Sequence, residues 1–239
     1  MSNNFIKTNR SSFASSSNTT YDVGLREYML KVYNNMGIAL AISGLVSFFV
    51  SNSPSLMQAI FGTPLKWVAI LAPLGFVFFL SAKINKISAS RAQTYLWIFA
   101  SLMGLSLAPI FLIYTGASIA KCFFITSSLF GAMSLYGYST KKDLTAWGSF
   151  LMMGLIGIIL ASLVNMFLKS SGLDFIISII GVIIFTGLTA YDTQRIKSVY
   201  YQLSGGEAIS KAATMGALTL YMDFINLFIM LLRFFGDRR

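Results

Sequence analysis

Long, uninterrupted runs of apolar residues dominate the chain. Seven of them can be traced, at about 32–52, 65–83, 93–114, 117–138, 147–168, 174–195 and 211–233. Each run is close to the ~20 residues that an α-helix needs to cross ~30 Å of hydrocarbon. An open sheet edge would leave backbone groups unpaired in lipid, so the pattern predicts an all-α membrane protein with seven transmembrane helices.

The segments between the runs are short and contain turn-forming residues, for example at 52–54, 62–64 and 204–206. Residues 1–20 are rich in Ser, Asn and Thr and contain no apolar block, which predicts a disordered tail. We therefore divide the chain into a tail over 1–24 and a membrane domain over 25–239. Pro73 and Pro109 fall inside the second and third runs, where they predict kinked helices.

Composition narrows the class of function. Only 11% of the 239 residues are charged and 56% are hydrophobic, whereas soluble domains contain about 25% charged residues. The chain contains no histidine and one cysteine, Cys122, which removes most zinc sites, Ser-His-Asp triads and histidine-based pH switches. No nucleophile–base pair is visible, so we do not expect an enzyme or a resident cofactor.

Basic residues are distributed unequally between the two sides of the predicted membrane domain. Twelve of the eighteen Lys and Arg residues lie on the side of the N-terminus and six on the other side. The positive-inside rule then places the N-terminus in the cytoplasm of a bacterial-type inner membrane. The net charge of +10 is better explained by loops facing anionic lipid than by binding of nucleic acid.

Two of the eight acidic residues lie within apolar runs, and the other six lie in the tail, in loops or near span ends. Asp192 follows an apolar stretch, and Asp223 has apolar sequence on both sides. A carboxylate inside the bilayer is costly, so its presence suggests a functional site. The midpoint between the two positions falls beside the Gly205–Gly206 turn. A helical hairpin folded there would bring the two carboxylates to similar depth, each about 24 Å from its tip.

Polar neighbours accompany both aspartates. One predicted helix face carries Thr186, Thr189 and Asp192, and another carries Thr219, Asp223 and Asn226. Two carboxylates held close in a low dielectric resist double ionisation and titrate as a pair, which provides a pH switch without histidine. Ionised, the pair could also bind a hard cation such as Ca²⁺. The alternative is a proton-sharing pair that only locks two helices together.

Three segments resemble the Bax inhibitor-1 family, also called the transmembrane Bax-inhibitor-motif or YccA-type family. They are Tyr191-Asp192-Thr193-Gln194, the motif ALTLYMDFINLFIMLLR at 217–233, and the shorter GLSLAPIF at 104–111. The resemblance covers residues from about 25 to the C-terminus. It implies a fold in which the last helix runs through the middle of the other six, and a pH-sensing aspartate pair, Asp192 and Asp223, that gates a Ca²⁺ leak.

The resemblance also implies a basic residue at the end of span two near the first aspartate, and Lys83 is the candidate. Span two contains no acidic residue, so a role that relatives give to a carboxylate there is absent from this chain.

Two functions are therefore expected from the sequence. The first is a pH-sensitive calcium or cation leak channel with Asp192 and Asp223 as sensor and gate. The second is a membrane interaction protein that modulates an FtsH-type membrane protease or a stress or cell-death pathway. Such a protease engages an exposed unstructured end, which residues 1–20 would supply.

Overall fold

The computed structural model describes the backbone of residues 9–239 and the side chains of residues 23–239. Its helices are α1 (Asn9–Ser51), α2 (Pro54–Phe61), α3 (Leu65–Lys83), a 3₁₀ turn (Ile84–Lys86), α4 (Ala89–Leu107), α5 (Ile110–Ile113), α6 (Gly116–Ser139), α7 (Thr145–Leu168), α8 (Ser171–Tyr200) and α9 (Gly206–Phe235). Within this described part, seven helical segments are long and apolar enough to cross a membrane. The predicted fold class is therefore confirmed. Of the disordered tail predicted over 1–24, residues 1–8 lie outside the described residues, whereas the backbone of residues 9–24 is helical and forms the start of α1.

The helix that forms the first membrane span extends beyond the apolar run that starts at about residue 32, since residues 23–31 already belong to α1. The reason is an amphipathic stretch whose apolar face is buried, at Leu25, Tyr28, Met29 and Val32. These positions follow the spacing of one helix face. Charged residues on the other face of the helix interrupt the apolar run, so the run of apolar residues alone does not include this stretch.

Two local details differ from the sequence expectation. Residues 54–61 form a short helix, α2, where only a connection was predicted. Pro109 does not kink a continuous helix: α4 ends at Leu107, and Pro109 precedes the separate short helix α5. Proline lacks the N–H group that would continue the helix, which explains the break. Pro73, in contrast, lies inside α3 as predicted.

The last helix, α9, occupies the centre of the bundle. Of its most apolar stretch, 72% is buried, whereas the other six spans reach 11–44%. It packs mainly against α1, α4, α6 and α8, while α3 lies outside α4 and α7 lies outside α8. The last helix is therefore shielded from lipid on most of its circumference, which is what allows it to carry a buried acid.

We call the side of the membrane on which α1 enters the near side and the opposite side the far side. The α8–α9 connection lies on the near side, and Gly205 makes the turn with a φ of 95°, which only glycine adopts easily. The C-terminal residues return to the α5–α6 connection on the far side, where the Arg239 N–H donates to the Ile113 carbonyl at 2.9 Å. Both ends of α9 are thus attached to neighbouring segments.

Candidate functional site

The structure brings the two membrane-embedded carboxyl groups together. Asp192 on α8 and Asp223 on α9 lie within hydrogen-bonding reach of each other. Both are buried, with 7% and 5% of their surface exposed. One carboxyl oxygen of Asp223, Oδ2, has no hydrogen-bond partner among the described residues. The pair is therefore held in a setting where a shared proton would satisfy both groups.

The hairpin that pairs them is less symmetric than the sequence spacing suggests. Asp192 lies about 12 Å before the end of α8, whereas Asp223 lies about 25 Å after the start of α9. The non-helical segment 201–205 makes up part of the difference. The shared depth of the two carboxylates is thus set by packing between the helices and not by equal helix lengths.

A cavity of about 860 Å³ reaches from Asp192 to the α8–α9 connection on the near side. Its lining includes Asp192 and Thr219 but not Asp223. Of the two carboxyl groups, only that of Asp192 borders the near-side cavity.

Charged and titratable side chains surround the same cavity: Tyr28, Arg195, Glu207 and Lys211. Lys211 and Glu207 form an ion pair at 3.3 Å. Arg195, one helical turn beyond Asp192, interacts electrostatically with it.

The basic residue expected near the first aspartate is Lys83. The structure places Lys83 exposed at the end of α3, while the following Ile84 and Asn85 line the cavity. The cation that interacts with Asp192 is Arg195 instead. The sequence could have indicated it, since a residue three positions further along a helix lies on the same face.

The predicted polar stripes do not bond to each other across the two helices. Thr189 donates to the Phe185 carbonyl at 2.8 Å, and Thr219 donates to the Met215 carbonyl at 3.1 Å. Asn226 is half-buried. The Thr189 and Thr219 hydroxyls are thus satisfied within their own helices, whereas the Thr186 hydroxyl has no hydrogen-bond partner among the described residues. The contact between the stripes is made by the two carboxyl groups.

The residues directly after Asp192 have partners that the sequence analysis did not identify. The Thr193 hydroxyl is 2.9 Å from that of Ser134 on α6, which is 2.6 Å from the Tyr33 hydroxyl on α1. The Gln194 side chain bonds at 2.8 and 2.9 Å to the backbone of the 140–144 connection. These contacts hold α8 to α1 and α6 beside the carboxyl pair.

Toward the far side of the pair, the buried residues of α9 are all apolar: Phe224, Ile225, Leu227, Phe228, Met230, Leu231 and Leu232. At the far end, Arg233 and Arg238 lie 3.5 and 3.8 Å from Asp174. Within the described residues, no group of three or more His, Cys, Asp or Glu side chains could hold a metal ion. Any cation at Asp192 and Asp223 would therefore have two carboxyl groups for protein ligands and no third acid.

Comparison of the sequence with known proteins identifies the family of the chain. A family profile described as "Inhibitor of apoptosis-promoting Bax1" matches residues 25–239. An uncharacterised protein of Rickettsia prowazekii is 51% identical over 224 residues, which cover 94% of this chain and 95% of that protein. The inner membrane protein YbhL of Escherichia coli is 48% identical over 219 residues, which cover 90% of this chain and 94% of YbhL. An uncharacterised membrane protein of Streptococcus pyogenes is 36% identical over 221 residues, 91% of this chain and 96% of that protein. The chain therefore belongs to the Bax inhibitor family of membrane proteins.

Proposed function

We propose that the protein is a pH-sensitive cation leak channel in which Asp192 and Asp223 act as sensor and gate, with Ca²⁺ as the permeant ion. The observation that carries the proposal is the contact between two buried carboxyl groups, one of which borders a cavity on the near side. A merely structural hydrogen bond between membrane helices is usually made by Ser, Thr or Asn side chains and needs no acid. Two acids in contact can change their interaction when a proton leaves.

The two protonation states of the pair have opposite effects on the α8–α9 contact. With one proton shared, the carboxyl groups hydrogen-bond and hold the helices together. With both groups ionised, like charges in a low dielectric repel each other, and two carboxylates attract a hard cation. Ionisation therefore loosens the helix contact at the same point where it creates a cation site.

Two carboxylates, Glu207 and Asp192, line the near-side cavity together with two basic side chains, Arg195 and Lys211. Glu207 is paired with Lys211 and Asp192 interacts with Arg195, so a cation that enters must compete with these basic groups for both carboxylates. Beyond Asp223 the apolar residues of α9 close the path. We therefore assign this conformation to the closed state, in which opening requires α9 to move relative to α8.

We further propose that the near side is the cytoplasm of a cell inner membrane. The excess of Lys and Arg on the N-terminal side supports this orientation. YbhL, which is similar over nearly its whole length, is an inner membrane protein.

The test is Ca²⁺ entry into proteoliposomes between pH 5 and pH 8. For the wild type we expect flux to increase with pH, because ionisation separates the carboxyl groups. If one shared proton controls opening, flux changes at most about tenfold per pH unit. Asp192→Asn and Asp223→Asn should each remove the pH dependence, since Asn cannot ionise.

Asp143→Asn is the matched control. Asp143 lies outside the membrane spans, and hydrogen bonds from the Thr145 hydroxyl and N–H group, at 2.6 and 2.9 Å, hold the pKa of its carboxyl below the usual range. It therefore stays ionised from pH 5 to pH 8, and its replacement should leave the shape of the profile unchanged.

Two outcomes would overturn the proposal. Unchanged pH dependence in both membrane aspartate variants would remove the sensor role. Absence of flux above empty liposomes at every pH would instead favour the interaction protein, for which the aspartates are a lock between helices. Binding of an FtsH-type protease by the full-length chain and by a chain lacking residues 1–20 would then be compared.

A further inference from the structure

Two adjoining cavities lie on the near side, where the α6–α7 connection meets α8. The first has a volume of about 320 Å³, and we call it the basic pocket; its charged and amide lining consists of Lys141, Lys142, Asp143, Gln194 and Arg195. The second has a volume of about 470 Å³, and we call it the groove; its mostly apolar lining includes Met133, Trp147, Leu151 and Ile183. Lys142, Asp143 and Tyr191 line both cavities. A single elongated molecule can therefore occupy the two together.

The side chain of Gln194 explains why the basic side chains converge. Its amide group donates to the Lys142 carbonyl at 2.8 Å, and its oxygen accepts from the Leu144 N–H group at 2.9 Å. These two hydrogen bonds hold the α6–α7 connection against α8. Lys141 and Lys142 of the connection are thereby brought to the same pocket as Arg195 of α8.

The basic pocket has an excess of two positive charges, since three basic side chains and one carboxylate line it. The ion pairs within the described residues are formed by Lys211, Arg233 and Arg238, so neither lysine of the pocket has a carboxylate partner there. The Asp143 carboxylate instead accepts from the Thr145 hydroxyl and N–H groups, at 2.6 and 2.9 Å. The pocket therefore favours a ligand with a negative charge.

The basic pocket lies at the level of the lipid headgroups. The α6–α7 connection joins two membrane spans, Gly116–Ser139 and Thr145–Leu168. Tyr136 and Trp147 line the groove within one turn of the span ends that face the connection. Tyrosine and tryptophan at this depth are typical of the membrane interface.

The groove continues from this level into the hydrocarbon. Leu151 lies about 9 Å beyond the start of α7, and Ile183 on α8 lies about 16 Å deeper than Gln194. Ile183 is 64% exposed, and α7 is the least buried of the seven spans. At this depth the medium around an exposed apolar side chain is hydrocarbon. An acyl chain is therefore the ligand that suits the groove.

The two cavities together indicate the chemical class of the ligand. A soluble anion would match the charge of the basic pocket but not the apolar groove. A zwitterionic lipid would match the groove, but its own positive charge would offset the attraction of its phosphate to the pocket. We propose that the basic pocket and the groove bind one anionic phospholipid of the near leaflet, with its phosphate beside Lys141, Lys142 and Arg195 and an acyl chain along the groove.

The experiment uses the tryptophan of the groove as its probe. The chain contains three tryptophans, and replacing Trp67 and Trp97 by Phe leaves Trp147 alone in the full-length protein. This variant is placed in vesicles of phosphatidylcholine that contain increasing fractions of a lipid brominated on one acyl chain, either phosphatidylglycerol or phosphatidylcholine. Bromine quenches tryptophan fluorescence on contact, so the two quenching curves give the relative association of the two lipids.

We expect phosphatidylglycerol to associate with the Trp147 site about 25-fold more strongly than phosphatidylcholine. This is about fivefold for each of the two excess charges, the factor that corresponds to ~1 kcal/mol per basic residue at a membrane surface. The matched protein keeps Trp97 and has Phe in place of Trp67 and Trp147. Trp97 lies about 12 Å beyond the start of α4 and lines neither cavity. It should be quenched nearly equally by the two lipids.

Charge variants test the basic pocket itself. Lys141→Gln and Lys142→Gln should each lower the preference about fivefold, and Lys142→Arg should keep it. Asp143→Asn removes the carboxylate of the pocket and should raise the preference. Lys86→Gln is the matched control, since Lys86 is an exposed near-side lysine that lines neither cavity. It should leave the preference unchanged.

Several outcomes would overturn the proposal. Equal quenching of Trp147 by the two lipids would show ordinary lipid contact only. A preference that is as strong at Trp97, or that Lys86→Gln lowers equally, would show a general effect of surface charge. A preference that inorganic phosphate or an oligoglutamate peptide abolishes at constant ionic strength would identify a soluble anion as the ligand of the basic pocket. None of these results depends on ion flux, so the test is independent of the channel proposal.

Discussion

The contact between α6 and α8 two residues before Asp192 provides a test of the packing around the carboxyl pair. Gly137 on α6 is buried against the backbone of Ala190 on α8. A Cβ atom at Gly137 would lie 2.9 Å from both the carbonyl carbon and the Cα atom of Ala190, and closer still to its carbonyl oxygen. The atoms it meets belong to a helix backbone and cannot move away by a rotamer change. Gly137→Ala must therefore push the two helices apart.

The size of this displacement follows from the distances. Ordinary van der Waals contact begins at 3.4 Å, so the two carbon contacts alone require a separation of 0.5 Å, and the closer carbonyl oxygen requires more. The Ser134–Thr193 hydrogen bond, 2.9 Å long, would then exceed the usual 2.5–3.0 Å range for hydroxyl pairs. Overpacking costs ~1–3 kcal/mol and a lost hydrogen bond in a membrane protein averages ~0.6 kcal/mol, while alanine gains ~1 kcal/mol in a helix. We expect a net destabilisation of about 0.5–2.5 kcal/mol.

The single cysteine provides the assay. Cys122 is fully buried, so a thiol-reactive fluorophore labels it only after unfolding, and labelling along an SDS titration in micelles measures the free energy of unfolding. Gly131→Ala on the same helix is the matched control, since its Cβ atom would meet nothing within 4 Å. That variant should be as stable as the wild type or gain up to ~1 kcal/mol. Equal stability of the Gly137 and Gly131 variants would refute the reasoning.

Two further predictions use the same labelling assay. Tyr221→Phe removes a hydroxyl that is fully buried and lies 2.6 Å from Ser43 Oγ. We expect the free energy of unfolding to fall by about 0.6–1.7 kcal/mol. Tyr221→Ala also leaves a cavity and should lower it further. Gly205→Ala places a Cβ atom on a residue with a φ of 95° and should cost about 1–3 kcal/mol. Gly206→Ala, at the first position of α9, is its control and should be nearly neutral; equal losses in both glycine variants would contradict the role of backbone conformation.

Several properties of the protein could be predicted because they depend only on the cost of moving each residue from water into the hydrocarbon of the bilayer. A backbone in lipid must satisfy its own hydrogen bonds, so each apolar run of sufficient length becomes a helix, and the seven runs became seven membrane helices. The same solvent makes an acid conspicuous, which is why Asp192 and Asp223 stand out from the other six acids. Their contact was also expected, because two helices folded into an antiparallel hairpin bring residues on either side of the turn to a similar depth in the membrane.

Other features could not be predicted from the sequence because they depend on helices that are distant along the chain. The basic residue expected beside Asp192 was Lys83, at the end of α3, but the cation that interacts with Asp192 is Arg195 on α8 itself. Sequence position in a loop near the membrane surface does not show which of several cations approaches a given carboxylate.

Ser43 and Ser47 illustrate the difference most clearly. They lie four residues apart on one face of α1, in sequence surroundings that are almost equally apolar, and nothing local distinguishes them. Ser43 meets a tyrosine of α9 and a carbonyl of α4, whereas the hydroxyl of Ser47 is buried without a hydrogen-bond partner among the described residues.

The sequence alone determined that the chain crosses the membrane as seven helices and which two acids it buries, because both follow from transfer of each residue into lipid. Only the tertiary structure decided which polar groups find a hydrogen-bond partner, because that depends on the side chains that neighbouring helices bring within 3 Å.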